Sequence, residues 1–517
     1  MPNLMCPSGC GRENADQGEN SAFRQTLVYR FRRGVRYTVR KDALQLTLNF
    51  PLKSVLIHRV WKPVLEAFSI HRDFVSFWTI SSMMAGIDSD KIEILLNRLV
   101  RGGYLEYEGI SEYSAYPFVS IIIPVRNRPD DIFSCLQSLK SIDYDANKLE
   151  IIVVDDASTD HTRDRVSQFA VTLFSVTEHK QASYCRNLGA AKAAGDILAF
   201  IDSDCIAHPL WLKALVSAFK DSQLGAVGGA VDSYYQASML DCYETVKSSL
   251  RISSWFRRSD ARDNFFYVPS CNLLARRDAF LKLNGFKEDL HVGEDVDLCW
   301  RMQDSGYELE YRPTGIVYHK HRSTLPAFAK RRFDYGTSES VLQKIHTERT
   351  KKLAFPIAET LFWLLILTSV VFHSIPFLLI GALSFMVTLS WKQIKFQSTG
   401  LSIGMRALLP AAMRCHFALI YYCCAFVSRY YLWMAVIIPV LSLSGAVILL
   451  GMHLLVGTVE YLTRKPKMNL FVFLSCFTIE QLSYQLGVWW GCLKNRCFHP
   501  INPEIVIRST PMLHKKM

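Results

Sequence analysis

Three short acidic clusters in this sequence have residue types and spacings that could do chemistry. Asp155 and Asp156 close the apolar run Ile151-Ile152-Val153-Val154, and Ala157, Ser158, Thr159 and Asp160 follow. An oxygen acceptor there could take the imide N–H of a pyrimidine base or a ribose hydroxyl, or the residues could simply cap a helix. Asp202 and Asp204 stand at i and i+2 in Phe200-Ile201-Asp202-Ser203-Asp204-Cys205, again just past an apolar run. Such a pair converges on one hard divalent cation, which prefers oxygen ligands and bridges diphosphate oxygens. In an ordinary acidic turn the same two charges would only repel. Glu294, Asp295 and Asp297 follow Gly293 at the start of a helical stretch. Acids there complement the helix macrodipole, and one held near a leaving group can also serve as general base on an acceptor hydroxyl. Arg186, in SYCRNLGAAKAAGD, could meet phosphate oxygens or be a surface cation. His319 and His321, in YHKHRS, could add a metal ligand or be structural.

The elements that must position these groups follow from hydrophobic patterning. Between about 118 and 231, short β-branched runs (119–124, 150–156, 171–176, 196–202, 224–231) alternate with polar-faced helical stretches. That alternation predicts a parallel sheet with helices on both faces. In such a sheet ligands sit outside the C-terminal strand ends, where the acidic clusters fall. Residues 22–112 form a separate block. Ile92, Leu95, Leu96 and Leu99 have helical spacing, Gly102 and Gly103 stop the helix, and Tyr104 to Tyr107 read as a strand. A helix running into a short hairpin predicts a winged-helix-like domain.

From Leu353 onward the chain changes character. Leu361 to Trp391 and Leu432 to Val459 carry no Lys, Arg, Asp or Glu. The second run is long enough to cross a bilayer, while the first, with Pro376 inside it, reads as a tight hairpin or one tilted span. The stretch 470–493, with Glu480 and Gln481, reads as an interfacial helix or a true span. Cationic flanks at both ends of these runs favour the cytoplasmic face without fixing a direction.

Composition narrows the class. Hydrophobic residues make up 50% and charged residues 21% of 517, which excludes a disordered or solvated-tail protein. Fourteen cysteines are too dilute for a disulfide scaffold, so reduced thiols are expected. The first residues lack the apolar core of a signal peptide, and removal by the export machinery is not expected. Cys6 and Cys10 have no second ligand pair nearby and are read as part of a loose tail. The boundaries expected are a tail at 1–21, the winged-helix-like domain at 22–112, the α/β domain at 113–345, membrane-associated helices at 346–500 and a C-terminal tail at 501–517.

Taken in order, strand-end Asp-Asp, basic helix, strand-end Asp-x-Asp and Gly-Glu-Asp before a helix resemble family 2 glycosyltransferases of GT-A fold, a Rossmann-like nucleotide-sugar domain, over residues 118 to about 340. The resemblance implies donor contacts from Pro124, Arg126, Asn127, Asp156, Arg186 and Asp202, with Asp156 at the nucleotide base and Arg186 near the diphosphate. It implies a divalent metal, Mn2+ or Mg2+, on Asp202, Asp204 and His321, and catalysis by Asp295 with Glu294. Members often carry Tyr-Asn where this chain has Arg126-Asn127, so an aromatic contact to the uracil is not implied. More narrowly, PVRNRPDD (124–131), RRFDYGTSES (331–340) and QLSYQLGVWWGCLK (481–494) resemble the mycofactocin-system glycosyltransferases, which add glucose units to a peptide-derived redox cofactor. The 22–112 block is similar to the peptide-chaperone domains of peptide-modifying pathways.

The function this implies is inverting, metal-dependent transfer of a hexose, glucose, from UDP-glucose to such a cofactor. The expected place is the bacterial inner membrane, with the catalytic domain facing the cytoplasm. A polyprenol-linked or polysaccharide acceptor is the alternative. The QxxRW signature of processive synthases is missing from FAKRRFDYGTS, which argues against cellulose- or chitin-like polymerisation. A membrane-tethered nucleic-acid binder is the alternative from another class, motivated by the net charge of 59 − 47 = +12 and the cationic run from Arg24 to Lys41. Anionic lipids attract the same cations, and nucleic acid is not the expected partner.

Overall fold

The computed structural model of the protein describes residues 28–40, 43–70, 74–84, 86–108, 116–253, 255–259, 265–321, 324–437 and 442–508. Its centre is an eight-stranded sheet in the order Arg257–Arg258, Glu308–Tyr311, Leu224–Gly228, Asn272–Arg276, Ile197–Ile201, Val119–Val125, Leu149–Asp156 and Thr172–Val176. The Ile/Val-rich runs become strands covered on both faces, which explains why they are continuously apolar and not alternating. Ile121 and Ile123 pack towards Ile132 and Leu136 of the helix Pro129–Leu139. Ile122 and Val154 pack on the other side towards Cys185 and Ala190 of the helix Gln181–Lys192.

The strands from Ile197 to Val176 in that order run parallel, so their C-terminal ends share one edge. The sheet is mixed, however, and not wholly parallel. Asn272–Arg276 lies antiparallel between Ile197–Ile201 and Leu224–Gly228. Asn272 interrupts the apolar signal of that strand. It is fully buried because its amide donates to Ala230 and Gly315 carbonyls, both at 2.9 Å, and accepts from Trp211 Nε1 at 2.7 Å.

The N-terminal block has its own core, with Ile92, Leu96 and Leu99 fully buried. A three-stranded antiparallel sheet (Val35–Val39, Leu44–Asn49, Leu52–Ile57) precedes the helices Lys62–Ile70, Phe77–Met83 and Ser89–Arg101. The strand Leu105–Glu108 pairs with Val28–Phe31, from the far end of the block, and not with a following strand of a hairpin among the described residues. Part of the cationic run is turned to internal use. Arg30 pairs with Glu106 at 3.1 Å, and Arg32 stacks over Trp255.

The C-terminal region holds the helices Ile357–Val371, Ile375–Ser398, Met405–Tyr430, Leu443–Arg464 and Leu470–Asn495. Three of them, Ile375–Ser398, Met405–Tyr430 and Leu443–Arg464, are long and apolar enough to cross a membrane. The first charge-free run therefore divides into two packed helices, and Pro376 sits in the opening turn of the second, where a missing N–H costs no bond. Met405–Tyr430 escapes a search for charge-free runs because of its arginines. Arg414 donates to the Asn49 carbonyl at 3.0 Å, and Arg429 stacks over Tyr484 and donates to Gln481 at 3.2 Å. Inside the bundle, Lys392 donates to Glu359 at 2.8 Å, which pairs two buried charges.

Leu470–Asn495 is fastened to the helix Leu325–Ile345, the last helix before the apolar C-terminal region. A Cβ on Gly487 would strike the Phe333 carbonyl, and one on Gly336 the Tyr484 carbonyl. The two helices therefore meet backbone to backbone. Downstream, Glu504–Arg508 pairs in parallel with Lys352–Pro356, so the start of the expected C-terminal tail is a strand. Residues 509–517, and 1–27 with Cys6 and Cys10, lie outside the described residues.

Gly487→Val should destabilise the full chain by about 1–3 kcal/mol, the usual cost of overpacking. Gly451→Ala should not, since nothing lies within 4 Å of the Cβ it would add. Thermal unfolding of the detergent-solubilised protein checks the contrast.

Candidate active site

The strand-end clusters and the Gly-Glu-Asp helix meet around one cavity of about 680 Å³. At one end Asp156, 4% exposed, sits where Leu149–Asp156 ends. Its carboxylate accepts from the backbone N–H groups of Lys180 (2.7 Å) and Gln181 (3.0 Å), and His179 Nδ1 lies 2.7 Å away. Asp156 thus ties the strand end to the start of Gln181–Lys192, the helix that carries Arg186. The neighbouring Asp155 points into the protein, where Arg163 and the Ser158 N–H reach it.

Arg186 stands at the middle of the site and is 3% exposed. Its guanidinium donates to Asp202 at 2.5 Å and to Glu294 at 3.1 Å. Asp204, two residues on, is held by Arg128 at 2.5 Å, and His319 Nε2 lies 3.5 Å from its other oxygen. His319 Nδ1 is buried with no hydrogen-bond partner among the described residues. Asp204, Cys205 and His319 each offer a ligand atom, all within 4.8 Å of one another. These donors fit a divalent cation, with Asp202 and Asp204 as oxygen ligands. His321, the histidine the sequence reading favoured for the metal, turns instead to Glu244 at 3.8 Å, while His319 takes the place beside Asp204. The pairing of Cys205–Ala207 with Val317–His319 sets this choice by putting His319 directly opposite Cys205.

The three acids of the helix Glu294–Asp304 have three different surroundings. Gly293 precedes them with φ +86°, a backbone shape that strains any residue with a Cβ. Asp297 is fully buried against Arg301, at 2.7 Å, and His346, at 3.0 Å, and serves to anchor the helix. Glu294 is taken by Arg186. Asp295 accepts from the N–H groups of Ser270 (3.3 Å) and Val296 (2.8 Å) and faces the cavity without a cationic partner at bonding distance among the described residues. Burial pushes its carboxyl up to about 7, the Glu294 charge adds to the rise, and the two N–H bonds and Arg186 oppose it. A carboxyl poised there can exchange a proton near neutral pH.

Pro124, Arg126, Asp156, Arg186, Asp202, Asp204, Glu294, Asp295 and His321 all border this cavity. Asn127 does not. It sits in a left-handed turn (φ +49°), receives the Thr159 N–H at 2.9 Å and donates its own N–H to Ser158, latching two site loops together. Residues that sequence reasoning passed over complete the wall: Arg128, His179, Tyr267, Arg331 and Arg332, and from the helical region Lys351, Arg429, Glu480 and Tyr484. An Arg-Arg pair at 331–332 and two polar residues in an apolar helix were the available signals, and neither says which way it faces.

The family model described as Glycosyl transferase family 2 matches residues 120–283. The Pre-mycofactocin glycosyltransferase of Mycobacterium tuberculosis (strain ATCC 25618 / H37Rv) is 27% identical over 401 residues, covering 75% of this chain and 82% of the relative. Glycosyltransferase AglE of Haloferax volcanii is 31% identical over 251 residues, covering 47% of this chain and 80% of its own length. Among solved structures, a mannosyltransferase from Pyrobaculum calidifontis in complex with GDP-Man and Mn2+ aligns with a TM-score of 0.37 at 20% identity, over 59% of this chain and 88% of that one. With a mixed α/β sheet whose acidic strand ends gather at one cavity, and with these relatives, the chain belongs to glycosyltransferase family 2 and is a glycosyltransferase.

Proposed function

We propose that this enzyme transfers glucose from UDP-glucose to a peptide-derived redox cofactor, with inversion at C1 and with a divalent metal ion, at the cytoplasmic face of a bacterial inner membrane. The observation that carries the reading is that Asp156, Asp202, Asp204 and Asp295, far apart in sequence, border the same cavity. The acceptor class is supported by a relative named for pre-mycofactocin that aligns with 75% of this chain.

Asp202, Asp204 and a histidine would hold a divalent cation, which when bound would supply positive charge to the leaving diphosphate. This chain's residues do the rest. Asp156, held by three donors, is fixed at the end of the cavity where the nucleotide base is received. Arg186 orients Asp202 and Glu294 and holds its charge beside the phosphates. Asp295, ionised, accepts the proton of the acceptor hydroxyl as its oxygen bonds to C1 and the bond from C1 to the diphosphate oxygen breaks. The proton then passes to solvent.

A second reading, a polyprenol-linked acceptor, is favoured by Lys351, Arg429, Glu480 and Tyr484, wall residues that come from the helical region. Mass spectrometry on the purified protein with UDP-glucose and manganese separates the two. Hexose added to the peptide cofactor supports the first reading, and hexose found only in the lipid extract overturns it.

Asp295→Asn should lower transfer by about 10²–10⁴-fold, the usual contribution of a general base, with UDP affinity by calorimetry preserved. Asp204→Ala should abolish both transfer and its dependence on added metal.

Because the working form of Asp295 is the carboxylate and its pKa is raised to about 7, activity should fall as pH drops through about 7. Glu294→Gln removes a charge that contributes to the rise, so whatever rate remains should fall off at a lower pH than in the parent enzyme. A pH–rate profile of both proteins checks the direction.

A further inference from the structure

We infer that the cation site also accepts a softer divalent ion of the zinc class, bound through the Cys205 thiolate, in competition with the hard cation. Around Asp204 the fold gathers an unusual mixture of donors for a site otherwise read as oxygen-rich. Asp204, Cys205 and His319 present a carboxylate oxygen, a sulfur and an imidazole nitrogen, all within 4.8 Å of one another. The sheet enforces this. Cys205 and His319 are directly opposite in an antiparallel ladder, so their side chains leave it on the same face. A second thiol adjoins the cluster: Cys271 is buried in the same core as Cys205 and borders the cavity, while Cys205 lies fully buried behind its wall. The His319 ring presents Nε2 to Asp204 at 3.5 Å, and its Nδ1 is buried with no hydrogen-bond partner among the described residues, so no bond to Nδ1 locks the ring in place.

Oxygen, nitrogen and two sulfurs make up the donor set of four-coordinate zinc, whereas Mn2+ and Mg2+ favour carboxylate and water oxygens. The two modes share Asp204 and exclude each other. Binding replaces the Cys205 thiol proton by the metal, and the proton goes to buffer, so no oxidant or reductant enters. The inference rests on the proposed function only in that Asp204 serves both ions.

The test uses the full chain in detergent, with Cys6→Ser and Cys10→Ser in the background to remove the N-terminal thiols. Titration with Co2+ should give a saturable near-ultraviolet sulfur-to-cobalt absorption at one equivalent, accompanied by the visible bands of tetrahedral cobalt. Zn2+ should displace both. Cys205→Ser should abolish the sulfur absorption, and Cys271→Ser should reduce it. His319→Gln, which removes a ligand and keeps both thiols, should weaken cobalt binding by at least about 10-fold, the lower end of the loss seen when even a residue behind a metal ligand is removed. A folded parent protein without the sulfur absorption, or an absorption unchanged in Cys205→Ser, overturns the inference. Loss of manganese-dependent transfer with the cobalt spectrum intact would instead count against the proposed function.

Discussion

One buried guanidinium holds this active site together. Arg186 reaches across to Asp202, at the end of a central strand, and to Glu294, at the start of a helix more than a hundred residues away, while its charge also lies over the Phe286 ring. A cation shut off from water needs partners, and removing one partner of such a buried group typically costs 3–5 kcal/mol. The need runs both ways. Two carboxylates brought to the same cavity repel, and the guanidinium between them makes their approach tolerable. Asp295 is left beside this cluster, shielded by protein and adjacent to Glu294, and that setting lifts its proton affinity into the neutral range.

The strained backbone of the site follows the same geometry. Asn127, Ala157, Gln181 and Gly293 all adopt positive φ, and each lies in a loop or helix start that borders the cavity or steadies one that does. Three of them carry a Cβ, so each turn is held against a local cost. The holding contacts are visible. Asn127 is pinned to Ser158 and Thr159, and the Gln181 N–H is captured by Asp156.

Much of this was legible in the chain itself, for definite reasons. The apolar runs ending at Asp156 and Ile201 are unambiguous because both faces of those strands are covered, and the acids stand out where the apolar residues stop. The strand Asn272–Arg276 was not legible, since its buried asparagine reads as a turn residue until its three partners are known. The choice between His319 and His321 was not legible either. Two histidines two residues apart look alike in the sequence, but only His319 belongs to the strand Val317–His319, whose pairing puts it opposite Cys205 and beside Asp204. Met405–Tyr430 was missed because its arginines look like interruptions, although they are taken up by the Asn49 carbonyl and by Tyr484 and Gln481.

The glycine seam between Leu325–Ile345 and Leu470–Asn495 leaves no side-chain layer along which the two helices could slide. Catalytic and hydrophobic portions are consequently one mechanical body, and Glu480 and Tyr484 are delivered to the reaction chamber by the same helix that makes the seam. Excising everything beyond residue 345 to obtain a water-soluble enzyme would uncover bare peptide backbone along one flank and open a breach in the chamber itself. For this chain, dissolving the protein away from lipid and preserving its catalytic enclosure are opposing aims.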